Sequence, residues 1–235
     1  KDKKIILEAI KTYSATFEYM DVNLKDDKNF VLKLMKTDGD ALKYANKTHR
    51  NNKELVMQAV KNKGSALQFV DESLKKDKTI VMEAVKNTGD IIKYASSKLK
   101  NDKLVALTAV KNSGFALQYI GENLKKDKEI VLIAVKENGG YLKYADPSLK
   151  KNKEIVLAAV KNAGYALEYA DATLKKDKEI VLAAVKNFGL SLADADESLK
   201  KDKEIILAAV KQDAYALNFA NYISFINDKD FRNYL

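Results

Sequence analysis

The chain has 235 residues, of which 46% are hydrophobic and 32% are charged, and its formal net charge is +9. This composition is typical of a folded globular protein and excludes a disordered chain. The chain has no cysteine, which excludes disulfides and thiolate metal sites. The compartment stays open on this evidence, with a cytoplasmic location preferred. No apolar run reaches the length of a membrane span, and the opening KDKKIILEAI contains no signal peptide.

An Asp-Lys or Asn-Lys pair recurs every 25 residues without insertion and defines nine repeats, here repeats 1 to 9. The pairs begin at residues 2, 27, 52, 77, 102, 127, 152, 177 and 202. A fixed period of this length is typical of solenoids, in which each repeat buries its apolar face against the next. We therefore expect residues 1–235 to form one domain. The chain begins without methionine next to a repeat boundary, which indicates a processed chain or a piece of a longer protein.

Repeat 7 shows the elements of one repeat in chain order: NKEIVLAAVKNAGYALEYADATLKK. The stretch EIVLAAV has apolar residues at helical spacing and predicts a helix of about eleven residues. Asn152 is suited to cap its start, and Gly164 is expected to end it in a left-handed conformation. The stretch YALEYA then predicts a helix of about seven residues, α or 3₁₀ in character. A polar segment returns the chain to the next cap.

The two ends of the chain depart from the common pattern. Repeat 1 has drifted, and residues 221–235 break the period and bring several aromatic residues. Divergent ends are expected where an open core must be covered, so we interpret residues 221–235 as a C-terminal cap. The predicted fold is all-α, a right-handed α-solenoid of about nine 25-residue helix–turn–short-helix repeats. We expect it to be a monomer.

The wording of the repeats resembles a known family. KKDKEIVLAAV at residues 175–185 is part of a pattern, LKxDKEIVLAAVKxxGxALxYA, that runs from Asp2 to about Ala220. This pattern resembles the short tandem α-helical repeats of an uncharacterised domain-of-unknown-function family found in bacteria and protists. The resemblance implies a helical repeat protein and transfers no catalytic residue. The layout is also similar to leucine-rich-variant solenoids, as architecture only.

Three rows of basic residues follow the period. The first row runs from Lys3 to Lys203 in steps of 25, and the third runs from Lys25 to Lys200 with Arg50 as its one arginine. The second row begins with Lys11 and Lys36 and continues through Lys61, Lys86, Lys111, Lys136, Lys161, Lys186 and Lys211. Aligned rows can track phosphates, so sequence-independent nucleic-acid binding is the alternative function. A solvated structural face is favoured, because base-reading and bidentate phosphate sites usually contain arginine.

A row of aromatic residues also follows the period: Tyr19, Tyr44, Phe69, Tyr94, Tyr119, Tyr144, Tyr169 and Phe219. We expect these rings to pack between adjacent short helices with the tyrosine hydroxyls at the rim. Stacking of nucleic-acid bases on this row is the other interpretation.

The residues on either side of the glycine differ in almost every repeat. A constant frame with variable positions is how modular repeat binders carry specificity, although exposed turn residues can also drift. Large rings at these turns favour a protein-binding surface. The candidate partner-binding residues are Phe115, Gln118, Lys143, Tyr165, Glu168, Phe188 and Tyr215.

The sequence offers no catalytic or metal-binding motif. His49, the one histidine, occupies a leucine position and is expected to be partly exposed, and without cysteine it does not predict a zinc or copper site. In repeat 8, Asp194 replaces the aromatic residue, which predicts a kink or a weak point. No phosphate-binding loop or nucleophile elbow is present, so we expect no enzyme and no cofactor. The sequence favours a non-enzymatic scaffold that binds a protein, preferably acidic, through the short-helix and turn face.

Overall fold

The computed structural model describes residues 3–223 and divides the chain into two compact units. The N-terminal unit is residues 1–124 and the C-terminal unit is residues 125–235. Within each unit, consecutive long helices pack against each other and no strand occurs among the described residues, which confirms the predicted all-α solenoid. The handedness of the superhelix and the assignment of residues 1–235 to one domain stay predictions. Most of the predicted cap, residues 224–235, lies outside the described residues.

The described part of the chain holds nine long α-helices of 10 residues, one in each repeat. They are Lys3–Thr12, Lys28–Thr37, Lys53–Asn62, Lys78–Asn87, Lys103–Asn112, Lys128–Glu137, Lys153–Asn162, Lys178–Asn187 and Lys203–Gln212. Each helix from repeat 2 onwards starts directly after its Asp or Asn, and where a cap hydrogen bond is resolved that side chain accepts it from a first-turn N–H. The predicted capping residue is therefore confirmed.

A 3₁₀ helix follows each long helix. The sequence had left open whether this short helix is α or 3₁₀. These short helices are Ser14–Tyr19, Gly39–Tyr44, Gly64–Phe69, Gly89–Tyr94, Gly114–Gln118, Gly139–Tyr144, Gly164–Tyr169, Gly189–Asp194 and Ala214–Phe219. The return segments contain one further turn of helix. It is α-helical at Val22–Asp26, Lys47–Arg50, Ser97–Lys100 and Pro147–Lys150, and 3₁₀ at Leu74–Lys76, Glu122–Lys126, Leu174–Lys176 and Leu199–Lys201.

The core of each unit is built from the same positions in every repeat. In repeat 7, Ile155, Val156, Ala159 and Val160 of the long helix and Leu167 of the short helix are fully buried. Burying an aliphatic side chain of this size contributes about 1.5–3 kcal/mol. Because neither helix is long enough to be stable alone, contacts between repeats supply most of the stability.

The glycines do not have the predicted left-handed conformation, since no described residue has a positive φ. The long helix of repeat 7 is instead ended by the residue after Asn162, Ala163, whose backbone is extended at φ −143° and ψ 106°. The Ala163 N–H donates to the Ala159 carbonyl. A Cβ on Gly164 would collide with the backbone oxygen of Ala184 and lie 2.8 Å from the Cβ of Phe188. In repeats 2 to 8 glycine allows close approach to the next repeat, whereas the same position is Ser14 in repeat 1 and Ala214 in repeat 9.

The return segments are joined by backbone hydrogen bonds within each unit. In the C-terminal unit, Asp171 N–H donates to the Lys150 carbonyl at 3.0 Å and Asp196 N–H donates to that of Lys175 at 3.0 Å. In the N-terminal unit, Ser96 N–H donates to the Lys75 carbonyl at 3.1 Å. The third basic row therefore contributes its backbone to the stacking of repeats.

Candidate interaction surface

The first lysine row forms ion pairs with the start of the following long helix. Lys53 lies 2.6 Å from Asp77, and Lys153 lies 2.7 Å from Asp177 and 2.9 Å from Glu179. Where the cap is asparagine, the lysine instead reaches the glutamate two residues later. These pairs are Lys28–Glu54 and Lys128–Glu154, each at 2.7 Å. Much of the charge of this row is therefore neutralised inside the frame.

The pKa values follow this pairing. Burial alone would raise the pKa of Asp77, but hydrogen bonds from Lys53, Thr79 and the Ile80 N–H outweigh it and bring the pKa to about 2. Hydrogen bonds to Asp177 and then Glu179 raise the pKa of Lys153. The helix starts thus hold charged, partnered groups at neutral pH.

The second lysine row is exposed at the other end of the long helices. Among the described residues, six of its members have no ion pair: Lys36, Lys61, Lys111, Lys136, Lys161 and Lys186. Lys11 pairs with Glu8 at 2.7 Å within its own helix, and Lys86 lies 4.0 Å from Glu83. Most members of this row therefore lack an ion pair, in contrast to the first row.

The third row lies half-buried against the short helices. Lys75 is only 8% exposed, and its amine lies 2.6 Å from Glu72 and 5.8 Å from the Tyr94 ring centroid. Burial lowers the pKa of Lys150, whose amine donates to the Lys143 carbonyl. These cations have protein partners and are poorly placed to bind a phosphate chain.

The aromatic row is half-buried in its middle members and exposed at both ends. Tyr19 is 79% exposed and Phe219 is 42% exposed. In repeats 2, 4 and 6, a lysine lies over the ring that follows it, in the pairs Lys43–Tyr44 at 5.3 Å, Lys93–Tyr94 at 5.2 Å and Lys143–Tyr144 at 4.7 Å. These rings therefore combine packing with cation–π contacts.

Two candidate residues lie in the N-terminal unit, and neither is fully exposed. The Phe115 ring meets the Tyr119 ring edge-on with centroids 5.6 Å apart. Gln118 is half-buried, and its buried amide oxygen has no hydrogen-bond partner. Phe115 therefore packs against a ring of its own repeat, and Gln118 is partly covered.

The other five candidates lie in the C-terminal unit. Tyr165, Phe188 and Tyr215 are 42%, 37% and 75% exposed. Phe188 lies between the long and short helices of repeat 8, and Tyr165 and Tyr215 are the second residues of the short helices of repeats 7 and 9. Lys143 and Glu168 are also exposed. They lie near Tyr169, whose pKa is raised by burial and then by Glu168 and lowered by Lys143. The structure thus brings Lys143, Tyr165 and Glu168 together around Tyr169, and Phe188 and Tyr215 follow in later repeats.

The variable turn residues pair between neighbouring repeats. In the N-terminal unit, Asp40 accepts hydrogen bonds from Lys63 at 2.8 Å and from Ser65 at 3.0 Å. In the C-terminal unit, the Tyr165 hydroxyl donates to Asn138 at 3.0 Å, and a Cβ on Gly140 would lie 2.6 Å from that hydroxyl. Some of these variable residues therefore differ together, because the residue in one repeat forms a hydrogen bond with the residue in the next.

An asparagine at the end of the long helix links repeats in a way that the sequence reasoning missed. Asn112 accepts from Gly89 N–H at 2.6 Å and donates to the Lys86 carbonyl at 2.8 Å. In the same way, the side-chain oxygens of Asn62, Asn162 and Asn187 each accept a hydrogen bond from the glycine N–H of the preceding repeat. The sequence feature that could have predicted this link is the asparagine that recurs at the same position of the repeat, at residues 62, 87, 112, 162 and 187.

Two single positions can be compared with their predictions. His49 is 7% exposed with an unpartnered Nδ1, and burial lowers its pKa, so the predicted partial exposure is wrong. Asp194 is half-buried, and burial raises its pKa. Repeat 8 keeps the same helices as its neighbours. Residues 3–223 contain no group of three potential metal ligands and no helix that is long and apolar enough to cross a membrane.

The arrangement defines a class of protein, a tandem-repeat α-solenoid. The chain belongs to the family described as a domain of unknown function, DUF4116, whose model matches residues 2–50, 52–100, 102–141, 127–175 and 177–224. Four of these segments each cover almost two complete repeats. No curated protein and no solved structure is significantly similar to this chain.

Proposed function

We propose that the protein is a non-enzymatic repeat scaffold that binds an acidic protein partner through its short-helix and turn face. The observation that carries this proposal is the exposure of Tyr165, Phe188 and Tyr215 in consecutive repeats of the C-terminal unit. Aromatic rings are enriched at the centres of protein interfaces, where they supply much of the binding energy. Their regular frame keeps the entropic cost of binding low.

The preference for an acidic partner rests on charge. The formal net charge is +9, and Lys143 is exposed on the same face as the aromatic rings. Complementary charge steers association and disfavours basic competitors.

The test compares the wild-type chain with a triple variant, Y165A/F188A/Y215A, and with a control, Leu104→Ala, which removes a 56% exposed apolar side chain from a long helix. A partner is first isolated from the native host with the wild-type chain, and its affinity for all three proteins is then measured. Loss of three contacting rings should weaken binding by about 100-fold, or roughly 1 kcal/mol per ring. Equal affinity for the triple variant and the wild type would reject this surface.

Sequence-independent nucleic-acid binding is the second candidate, and the unpaired second lysine row favours it. Labelled single- and double-stranded nucleic acid should be titrated at low and physiological salt. Micromolar or tighter binding at physiological salt with a steep log–log salt slope would support this alternative. In that case, the variant K136Q/K161Q/K186Q should reduce the slope by about three. Binding at low salt only would leave the scaffold proposal in place.

A further inference from the structure

A groove lies between consecutive long helices on their outer side and recurs within each unit. In the C-terminal unit, Leu157, Lys161, Glu179, Leu182 and Lys186 line a groove of about 530 Å³. The next groove, of about 560 Å³, shares Leu182 and Lys186 and adds Leu207. In the N-terminal unit, the equivalent groove of about 520 Å³ is lined by Met57, Lys61, Met82 and Lys86.

The grooves combine an apolar floor with lysines at the rim, and the glutamates that also line the two C-terminal grooves, Glu179 and Glu204, pair with the first-row lysines Lys153 and Lys178. Leu157, Leu182 and Leu207 are half-buried, so each keeps part of its side chain available. Lys161 and Lys186 beside them are exposed and have no ion pair among the described residues. The apolar floor would gain from further burial, and the cations lack the carboxylates that the first row has.

We propose that this outer face binds an acidic amphipathic helix of a partner protein. Apolar side chains of the helix enter the grooves, and its carboxylates pair with Lys161 and Lys186. Packed helices lie about 8–10 Å apart, and seven residues of an α-helix span about 10.5 Å. A helix laid across the long helices therefore presents equivalent side chains to successive grooves every seven residues.

This chemistry selects against two other anionic partners. A nucleic-acid backbone offers no apolar group for the leucine floor, and the lysines alone would carry its binding. A membrane surface is entered by protruding apolar side chains, whereas these leucines are recessed between helices. The outer face differs from the short-helix face, so the two proposals are independent.

The probe is a fluorescein-labelled peptide of about 21 residues with leucine at every seventh position and glutamates flanking it. Its affinity is measured by fluorescence anisotropy, with a scrambled peptide of the same composition as reference. The wild-type chain should bind the probe with a dissociation constant of about 1–50 µM at about 100 mM salt and bind the scrambled peptide at least about tenfold more weakly.

Two variants separate the charge from the apolar floor. K161E/K186E should weaken binding at least about tenfold. K151E/K176E makes the same charge change on return-segment lysines that lie 3.8 Å from Asp171 and 3.7 Å from Asp196, and it should stay within about twofold. Leu182→Gln should also weaken binding about tenfold without changing charge. If Leu182→Gln does not fold, as judged by circular dichroism, the two charge variants decide.

Several results would overturn the proposal. They are no saturation by the probe below about 200 µM, equal affinity for the scrambled peptide, or unchanged binding by K161E/K186E. Tighter binding to duplex DNA or to phosphatidylserine vesicles than to the probe would overturn it as well. Y165A/F188A/Y215A should keep its affinity for the probe, which distinguishes failure of this proposal from failure of the short-helix surface.

Discussion

The two ends of each long helix bind the neighbouring repeat by different means. At its start, in repeat 7, Lys153 pairs with Asp177 and Glu179 of repeat 8. At its end, Asn162 bonds to the backbone of Gly139 and Lys136 in repeat 6, and Lys161 has no ion pair. Both ends contain a periodic lysine, but only one of these lysines is part of the frame. A lysine that recurs in every repeat is therefore a candidate for binding a partner only where no acidic residue of the neighbouring repeat pairs with it.

The end of the helix should contribute more to stability than its start. Exposed ion pairs contribute about 0–1 kcal/mol each, whereas close packing and backbone hydrogen bonds cost about 1–3 kcal/mol when broken.

The largest effect is expected from Gly164→Ala. The added Cβ would collide with the backbone oxygen of Ala184 in repeat 8 and force the two repeats apart. The free energy of unfolding, measured by urea denaturation, should fall by about 2–3 kcal/mol. The control is Ala214→Gly in repeat 9, which should cost less than about 1 kcal/mol. Equal losses would show that close approach is not what the glycine position requires.

The next effect is expected from Asn112→Ala. This change leaves the Gly89 N–H and the Lys86 carbonyl without their side-chain partner. The free energy of unfolding should fall by about 1–2 kcal/mol. Thr108→Ala, on the same helix, should change it by less than about 0.5 kcal/mol. If the free energy of unfolding falls no more than in this control, the asparagine does not stabilise the end of the helix.

A smaller, pH-dependent effect is expected at the helix start from Asp77→Asn. Asparagine keeps the cap, as Asn52 does, but removes the carboxylate that pairs with Lys53. The folded-state pKa of Asp77 is about 2, below its unfolded value near 3.9. The extra stability of the wild type is therefore present above about pH 4 and lost as the pH falls towards 2. Unfolding curves of both proteins between about pH 2 and 7 should converge at low pH; a constant difference would contradict the assignment.

The smallest effect concerns the lysines themselves and is measured by double-mutant cycles. The pair Lys153 and Asp177 should have a favourable coupling energy of about 0.3–1 kcal/mol. The pair Lys161 and Glu179 lines one groove without an ion pair and should couple by less than about 0.2 kcal/mol. Similar coupling energies would erase the difference between the two rows.

Interactions inside one repeat were predictable because they depend on short sequence spacing. The cap at Asn152 and the buried stripe from Ile155 to Val160 follow from a 3.6-residue period and confirm the sequence interpretation. Contacts between repeats were not predictable in this way, since they depend on how far one repeat is displaced along the next. The close approach at Gly164 and the bonds of Asn112 join residues 20 or more positions apart.

The candidate surface was predictable in part. The exposed rings at Tyr165, Phe188 and Tyr215 lie at turns that the variable positions marked. Phe115 looks equivalent in the sequence, but its ring packs against Tyr119. The burial of His49 was not predicted from the sequence. A position that is usually leucine indicates an apolar environment, but whether its side chain is buried depends on how the neighbouring repeats cover it.

The difference between the two lysine rows can be measured directly in the intact chain. Limited acetylation followed by peptide mass spectrometry gives the relative rate at each lysine. Because ion pairing holds the amine protonated, Lys161 and Lys186 should react about threefold or more faster than Lys153 and Lys178. Addition of the acidic probe peptide should then slow Lys161 and Lys186 and leave Lys153 and Lys178 unchanged. Equal rates in the free chain, or protection of Lys153 and Lys178 by the peptide, would contradict the assignment of one row to the frame and the other to binding.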